Sequence, residues 1–161
     1  PRNQGAALTC WELGQQGIPH TLVVDNAGGH LMQQGDVDLC LVGSDRTTLD
    51  GNVCNKIGSY LKALAASDNG VPFYVAVPVS SIDFSSSQEA IPIEERSASE
   101  VSHVSGLDEN GQVKQVRVAP ADVAVSNFGF DITPARLVTG IITELGVFDA
   151  NRESIASMAA R

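Results

Sequence analysis

One carboxylate, one amide and one ammonium group follow a short apolar run and are close enough in the chain to serve one site. Asp45 comes directly after a predicted strand at 38–43 (DLCLVG), and Asn55 and Lys56 come at the first turn of a predicted helix. Ligands of open α/β sheets bind beyond the carboxyl ends of the strands. The free N–H groups and the dipole of a helix N-terminus favour an anion. The pattern therefore predicts a carboxylate and an anion-binding corner that face one crevice.

A purely structural interpretation of the same residues stays open. In that interpretation Asn55 only caps the helix, Lys56 is solvated, and Asp45 pairs with Arg46. Charged loops at strand ends are common in proteins, so the residue types alone do not decide between the two interpretations.

Nucleotide and metal sites have weaker support. Gly28 and Gly29 follow an apolar run, but the GxGxxG spacing is missing and the sequence contains no GxxxxGK[ST] motif, so no nucleotide cofactor is expected. The three histidines are far apart in the sequence and form no HxxxH or HxH pair. We therefore expect no metal site, which would need several such ligands to converge.

The composition narrows the class of protein. The chain has 161 residues, of which 43% are hydrophobic and 18% charged, and its net charge is −9. A nucleic-acid partner is not expected, because phosphate backbones attract basic surfaces. No segment approaches the ~20 consecutive apolar residues that a membrane helix needs. The cysteines are Cys10, Cys40 and Cys54, an odd number without CxxC spacing, which predicts reduced thiols in a cytoplasmic protein.

Helices and strands that alternate over short connections must position these residues. The predicted helices are 5–17, a weak one at 26–34, one opened by Asn55 and ended at 68–70, one from Thr133 to about Gly146, and a short surface helix in 151–161. The predicted strands are 20–24, 38–43 and 72–77, with a loop at 44–53 and a hairpin at 101–118. The alternation is typical of an α/β fold with a Rossmann-like, doubly wound and mostly parallel sheet.

A resemblance to a known family rests on several blocks of sequence. The block VGSDRTTLDGNVCNKIGSYLKALAASDNGVPFYVAVP resembles the family of methylthioribose-1-phosphate isomerases, as do NQGAALTCWEL, VDNAGGHLM, IPIEERS and NFGFDITPARLVTGIITE. The resemblance runs from the first residue to about Val147. The same fold family includes the alpha, beta and delta regulatory subunits of the eukaryotic initiation-factor exchange factor, and isomerases of other pentose phosphates.

The resemblance implies roles for four residues. Asp45 matches the catalytic acid of the family, Asn55 and Lys56 match its substrate-binding pair, and Gln4 matches a further substrate-binding residue. The family usually has Ala where Ser44 stands, and commonly an NGD-like turn where 50–52 reads DGN. These departures lie beside the four residues and replace none of them.

The resemblance also implies a place for this chain in a longer protein. The catalytic cysteine and the arginine-containing phosphate loop of the family belong to an amino-terminal half, and nothing in this chain matches them. We therefore expect residues 1–150 to be the carboxy-terminal α/β domain of the isomerase, followed by a tail at 151–161. The intact protein would be a homodimer in the cytoplasm that acts on a sugar phosphate without metal or organic cofactor. The alternatives are a non-catalytic regulatory subunit and an isomerase of another pentose 1-phosphate.

Overall fold

The computed structural model describes residues 2–85 and 91–160. The chain divides into two compact units. The first unit consists of Pro1–Val23 and Glu95–Phe128, and the second consists of Val24–Glu94 and Gly129–Arg161.

The first unit contains a helical segment and a β-hairpin. A π-helical stretch, Gly5–Thr9, continues into α1, Cys10–Gln15, which confirms the predicted helix at 5–17. The hairpin pairs β6, His103–Leu107, with β7, Val113–Arg117, as predicted. A short helix, α4, Ser99–Ser102, precedes the hairpin.

The second unit contains two four-stranded sheets. Sheet one has the strand order β1, Cys40–Val42; β4, Phe73–Ala76; β9, Gly140–Thr143; and β10, Gly146–Phe148. In this sheet β1, β4 and β9 are parallel, while β9 and β10 are antiparallel. The predicted strands at 38–43 and 72–77 are therefore confirmed as β1 and β4.

Sheet two is mostly antiparallel and was not expected from the sequence. Its order is β5, Ile82–Asp83; β2, Arg46–Thr48; β3, Val53–Lys56; and β8, Phe130–Thr133. Only the β2–β5 pair is parallel. The α/β class is thus confirmed, with both parallel and antiparallel pairs, and the predicted loop at 44–53 was wrong because β2 and part of β3 lie in it.

Two helices of the second unit pack against each other through small residues. They are α2, Ala27–Gln34, as predicted, and α3, Ser59–Asp68. A Cβ atom on Gly28 would come within 3.2 Å of the Lys62 side chain, and one on Gly29 within 3.6 Å of the Cβ of Ala65. The two glycines therefore lie inside a helix and serve close helix packing in this structure.

The core of the second unit joins sheet one, the helices and the carboxy-terminal segment. Phe73, Val75 and Ile141 from sheet one are at most 1% exposed. Helix α5, Arg152–Ala156, adds Ile155, and the following 3₁₀ turn, Ser157–Ala160, adds Met158. The tail is helical as predicted, but it is not a purely surface helix, because the Ile155 and Met158 side chains are buried in this core.

Two further predicted elements were wrong. Residues 20–24 form no strand, and the side chains of Leu22 and Val24 are 64% and 76% exposed. The run has the right composition for a strand, but a strand also needs a neighbouring strand with which to pair.

The predicted helix from Thr133 to about Gly146 is also absent. The segment contains the end of β8, a 3₁₀ turn Ala135–Leu137, and β9. Its branched residues fit a pleated sheet better than a helix. Ile141 in β9 lies opposite Val75 of β4 and is fully buried.

Candidate active site

Asp45 lies where the sequence predicts it, beyond the carboxyl end of β1. It occupies the bend between β1 and β2, and its side chain is exposed. Its backbone N–H donates a hydrogen bond to the carbonyl oxygen of Cys54 at 3.0 Å. This bond places Asp45 beside the end of β3 that carries Asn55 and Lys56.

The loop before β2 is held by hydroxyl contacts. The Ser44 Oγ lies 2.9 Å from the Oγ1 of Thr47, a fully buried side chain. The Ser44 hydroxyl also lies 3.4 Å from the Cys54 carbonyl oxygen, to which it donates. Arg46 pairs with Asp83 at 3.8 Å, which differs from the structural interpretation that paired Arg46 with Asp45.

Asn55 and Lys56 lie on a strand, so the prediction that they form the first turn of a helix was wrong. In the register of β3 and β8, Asn55 is opposite Asp131 and Lys56 is opposite Phe130. These cross-strand pairs hold the segment extended. Successive side chains of a strand point to opposite faces, so Asn55 and Lys56 lie on opposite faces of sheet two.

Each of the two side chains has a partner of its own. The Asn55 Nδ2 donates to the Ser59 Oγ at 2.9 Å, and the Ser59 hydroxyl donates to the Lys56 carbonyl oxygen at 2.8 Å. The Lys56 Nζ lies 4.5 Å from the centroid of the Phe130 ring, within the range of a cation–π interaction. Both side chains are half-buried, so their positions are constrained by sheet two and the start of α3.

The N-terminus of α3 already binds a carboxylate. The Gly58 N–H donates to the Asp131 Oδ2 at 2.7 Å, and the Tyr60 N–H donates to Oδ1 at 3.1 Å. Burial raises the pKa of the Asp131 carboxyl, and these two N–H groups and the Lys62 charge oppose that shift. The predicted anion corner at this helix end is therefore filled by a side chain of the protein itself.

The three thiols are free in the structure. Cys54 is buried, and Cys40 packs against the core as predicted for a strand residue. Burial raises the pKa of the Cys54 thiol, and the negative charge of Asp45 raises it further. A thiol in such surroundings is a poor nucleophile at neutral pH.

Gln4 belongs to the first unit, whereas the other three predicted site residues belong to the second. Gln4 immediately precedes the π-helical Gly5–Thr9. Its side chain is exposed and makes no capping hydrogen bond to that stretch. Its role remains an expectation from the resemblance.

Sequence reasoning missed two polar residues that organise this region. Asp131 was assigned no role because it precedes the helix that was predicted to begin at Thr133, and Ser59 was counted as a helix residue only. A period-two pattern in 130–133 (FDIT), with an aromatic and a branched apolar residue alternating with polar ones, was the available signal.

Two kinds of feature are absent from the described residues. Within 2–85 and 91–160, no group of three or more His, Cys, Asp or Glu side chains is arranged to hold a metal ion. In the same part of the chain no helix has the length and apolar character needed to cross a membrane.

The chain belongs to the initiation factor 2 subunit family, which matches residues 1–150. Two of its relatives carry the name methylthioribose-1-phosphate isomerase. The protein from Methylocella silvestris is 60% identical over 159 residues, and that from Escherichia coli is 58% identical over 161 residues. The matches cover 98% and 99% of this chain and 43% of each relative. The chain thus spans less than half the length of these curated relatives.

Solved structures agree with this family membership. The crystal structure of 5-methylthioribose 1-phosphate isomerase from Pyrococcus horikoshii has a TM-score of 0.88 and 42% identity, covering 99% of this chain and 43% of that one. Translation initiation factor eIF-2B, subunit delta, from A. fulgidus has a TM-score of 0.83 and 38% identity, covering 96% and 44%. The fold is therefore shared between proteins named as enzymes and proteins named as translation factors.

Proposed function

We propose that the whole protein containing this chain is an aldose–ketose isomerase that converts 5-methylthioribose 1-phosphate to 5-methylthioribulose 1-phosphate in methionine salvage. The observation that carries the proposal is 60% identity, across 98% of the chain, to a relative of that name. The position of Asp45 beyond the carboxyl end of a parallel strand supports it independently.

Asp45 is the proposed general acid. The phosphate on O1 of the substrate prevents simple opening to an aldehyde, so the ring must open by protonation of its oxygen before hydrogen moves from C2 to C1. A carboxylic acid suits this task when its surroundings exclude water. Asp45 is exposed in the described part of the chain. We propose that the bound substrate and the rest of the longer protein cover it.

Lys56, Asn55 and Gln4 are the proposed substrate-binding residues. An ammonium group supplies a charge-assisted contact to phosphate, and the Lys56 Nζ is held at the end of β3 by the Phe130 ring. The Asn55 amide is directed by Ser59. Because the two residues lie on opposite faces of β3, we propose that they contact different groups of the substrate.

The setting of the reaction is part of the same proposal. We propose that β1, β4 and β9 form the centre of a Rossmann-like, doubly wound sheet whose crevice holds a sugar phosphate in place of a nucleotide. The reaction would use no metal or organic cofactor, and the enzyme would be a cytoplasmic homodimer. Light scattering of the whole protein would measure its mass in solution, and a monomer would contradict the last point.

Replacing the proposed acid tests the mechanism. In the whole protein, Asp45→Asn keeps the side-chain shape but removes the transferable proton, so kcat should fall ~10²–10⁴-fold with little change in substrate affinity. The matched control is Asp38→Asn, which changes an exposed carboxylate near the amino end of the same strand. A folded Asp45→Asn protein with near-normal kcat would contradict the catalytic role.

A second candidate is a non-catalytic subunit, favoured by the TM-score of 0.83 to an initiation-factor subunit structure. Such a protein would bind sugar phosphate without converting it. Calorimetry and product analysis on the same sample separate the two functions. An isomerase of a different pentose 1-phosphate would instead show turnover with that substrate and only competition by the methylthio sugar.

A further inference from the structure

Asp131 joins three elements that meet at the proposed substrate-binding pair. It lies on β8 opposite Asn55 of β3, and its two carboxylate oxygens accept the backbone N–H groups of Gly58 and Tyr60. These N–H groups begin α3. One side chain therefore connects the last strand of sheet two to the turn that leaves β3.

The turn held by Asp131 is tied to the β8 segment at a second point. Gly58 has a φ of +100°, a backbone conformation that residues other than glycine rarely adopt. The Ile57 N–H donates to the Gly129 carbonyl oxygen at 3.1 Å, so the chain before the turn is also tied to the β8 segment. With these contacts, the turn after Lys56 is fixed by the residues around Asp131.

The same turn controls the two predicted binding residues. The Ser59 hydroxyl accepts from the Asn55 amide and donates to the Lys56 carbonyl oxygen. Ser59 is 6% exposed and stands between Gly58 and Tyr60, the two residues whose N–H groups Asp131 binds. A shift of this turn would therefore move the Asn55 amide and the Lys56 backbone together.

We propose that Asp131 is a positioning residue that fixes the Gly58–Tyr60 turn and thereby the orientation of Asn55 and Lys56 toward the substrate. The inference rests on the proposed function of these two residues. Asp131 touches no reacting atom in this role. It acts through the turn, with Ser59 as the link.

The Asp131 carboxyl interacts electrostatically with groups on two elements. On α3, the Lys62 ammonium favours the ionised carboxyl. On β3, the negative charge of Asp131 raises the pKa of the buried Cys54 thiol. Burial works against ionisation. A neutral Asn at this position removes that burial cost and loses one N–H acceptor, so the two effects on stability oppose each other. The expected damage falls on geometry more than on folding.

Substitution in the whole protein tests the proposal. In Asp131→Asn the amide oxygen accepts one N–H, and the NH₂ group faces the other donor. The KM for 5-methylthioribose 1-phosphate should rise about tenfold, while kcat changes less than about threefold, since misplaced binding groups weaken substrate binding. Hydrogen exchange of the Gly58 and Tyr60 amides, measured without substrate, should become at least about tenfold faster. Asp68→Asn, at the other end of α3, is the matched control.

Each outcome decides the proposal. Faster exchange with unchanged KM would make Asp131 merely structural, and unchanged exchange would remove its control of the turn; either result overturns the proposal.

If the wild-type protein does not convert the sugar phosphate, the proposed function fails. Calorimetric Kd values for the same compound then decide, with about tenfold weaker binding by Asp131→Asn supporting the positioning role and an equal Kd overturning it.

A second variant covers failure of the first to fold. Ser59→Ala leaves the carboxylate in place and breaks the link between the turn and Asn55. We expect the KM to rise about threefold to tenfold with kcat nearly unchanged, since the two neutral hydrogen bonds of the Ser59 hydroxyl are lost. An unchanged KM in a folded Ser59→Ala protein would overturn the route through Ser59.

Discussion

The ammonium group of Lys56 has a defined position because it lies over the ring of Phe130. In the whole protein, Lys56→Ala should raise the KM for the sugar phosphate about tenfold to a hundredfold, since a charge-assisted contact contributes roughly 1.5–3 kcal/mol. Steady-state kinetics checks this. The control is Lys114→Ala, which removes an exposed lysine of the hairpin in the first unit. An unchanged KM would exclude Lys56 from phosphate binding.

Gly51 is a residue for which only glycine fits. Its φ is +83°, and a Cβ atom there would lie 2.5 Å from the Ala150 carbonyl oxygen. We expect Gly51→Ala to lower the free energy of unfolding by more than about 2 kcal/mol, because backbone strain and a clash with another segment add together. Thermal or urea unfolding measures the loss.

A matched control separates the two causes at Gly51. Gly70 has a φ of +68°, but a Cβ atom there meets no atom within 4 Å. Gly70→Ala should therefore cost only the backbone term, about 1 kcal/mol. Equal losses for the two variants would show that the contact with Ala150 has no effect on stability.

Cys54 should react slowly with alkylating reagents. The thiolate is the reactive form of cysteine. Because the pKa of Cys54 is raised, a smaller fraction of this side chain is thiolate at neutral pH than for an ordinary cysteine. Its alkylation should therefore lag behind that of the half-buried Cys10 and should accelerate as the pH rises. Mass spectrometry of iodoacetamide-treated protein follows each site. Faster labelling of Cys54 than of Cys10 in the folded protein would contradict the burial described here.

At the scale of elements, the local sequence pattern correctly predicted those helices and strands that are determined by contacts between residues near in the chain. The apolar run at 38–43, the helix at 5–17 and the hairpin at 101–118 were predicted because each is defined by its own residues or by a nearby turn. The start of α3 was misplaced because Ile57 continues the apolar spacing of the helix face, although its side chain is 42% exposed. The true start depends on Gly58 and on Asp131, which is distant in the sequence.

In the candidate site, too, the features set by local sequence were predicted and those set by distant contacts were not. The position of Asp45 followed from strand β1 alone, and that part of the prediction agrees with the structure. The placement of Asn55 and Lys56 on opposite faces depends on pairing with β8. That pairing is non-local, and no periodicity within 44–60 reveals it.

Helix α5 is expected to contribute strongly to the stability of the second unit. Ile155 is 0% exposed and packs in the core of that unit. Ile155→Ala should reduce the free energy of unfolding by about 2–5 kcal/mol, since it removes buried methyl groups and leaves a cavity. Denaturant unfolding measures this change. Val147→Ala, on the 66%-exposed side chain of β10, should cost far less, and similar losses would contradict the packing of α5.

At the scale of the whole molecule, the proposed isomerase needs more than this chain. The resemblance assigns the catalytic cysteine and the arginine-containing loop to the amino-terminal half of the family, and no residue of this chain matches that half. The two relatives are more than twice as long as this chain. We therefore expect the 161-residue chain alone to be inactive, because removing groups that act as a unit costs several orders of magnitude in rate. An assay of product formation compares it with the whole protein, and equal turnover would contradict the expectation.

Family membership could be predicted from sequence blocks and the α/β class from the alternation of helices and strands, whereas the division into two units could not be predicted. The first unit joins Pro1–Val23 to Glu95–Phe128, and the second unit joins the segment between them to Gly129–Arg161. Such a division is defined by contacts between segments remote in the chain. Composition and local spacing carry little information about it.

The turn at 50–52 is fastened to the end of the chain, and this limits where the molecule can be re-engineered. Gly51 lies against the Ala150 backbone, and the Asp50 carboxylate binds the Arg152 guanidinium at 2.7 Å. A reporter peptide or fluorescent tag inserted there would separate these segments. The tip of the hairpin at 109–110 is exposed, so a biosensor built on this scaffold should carry its insert at the hairpin tip.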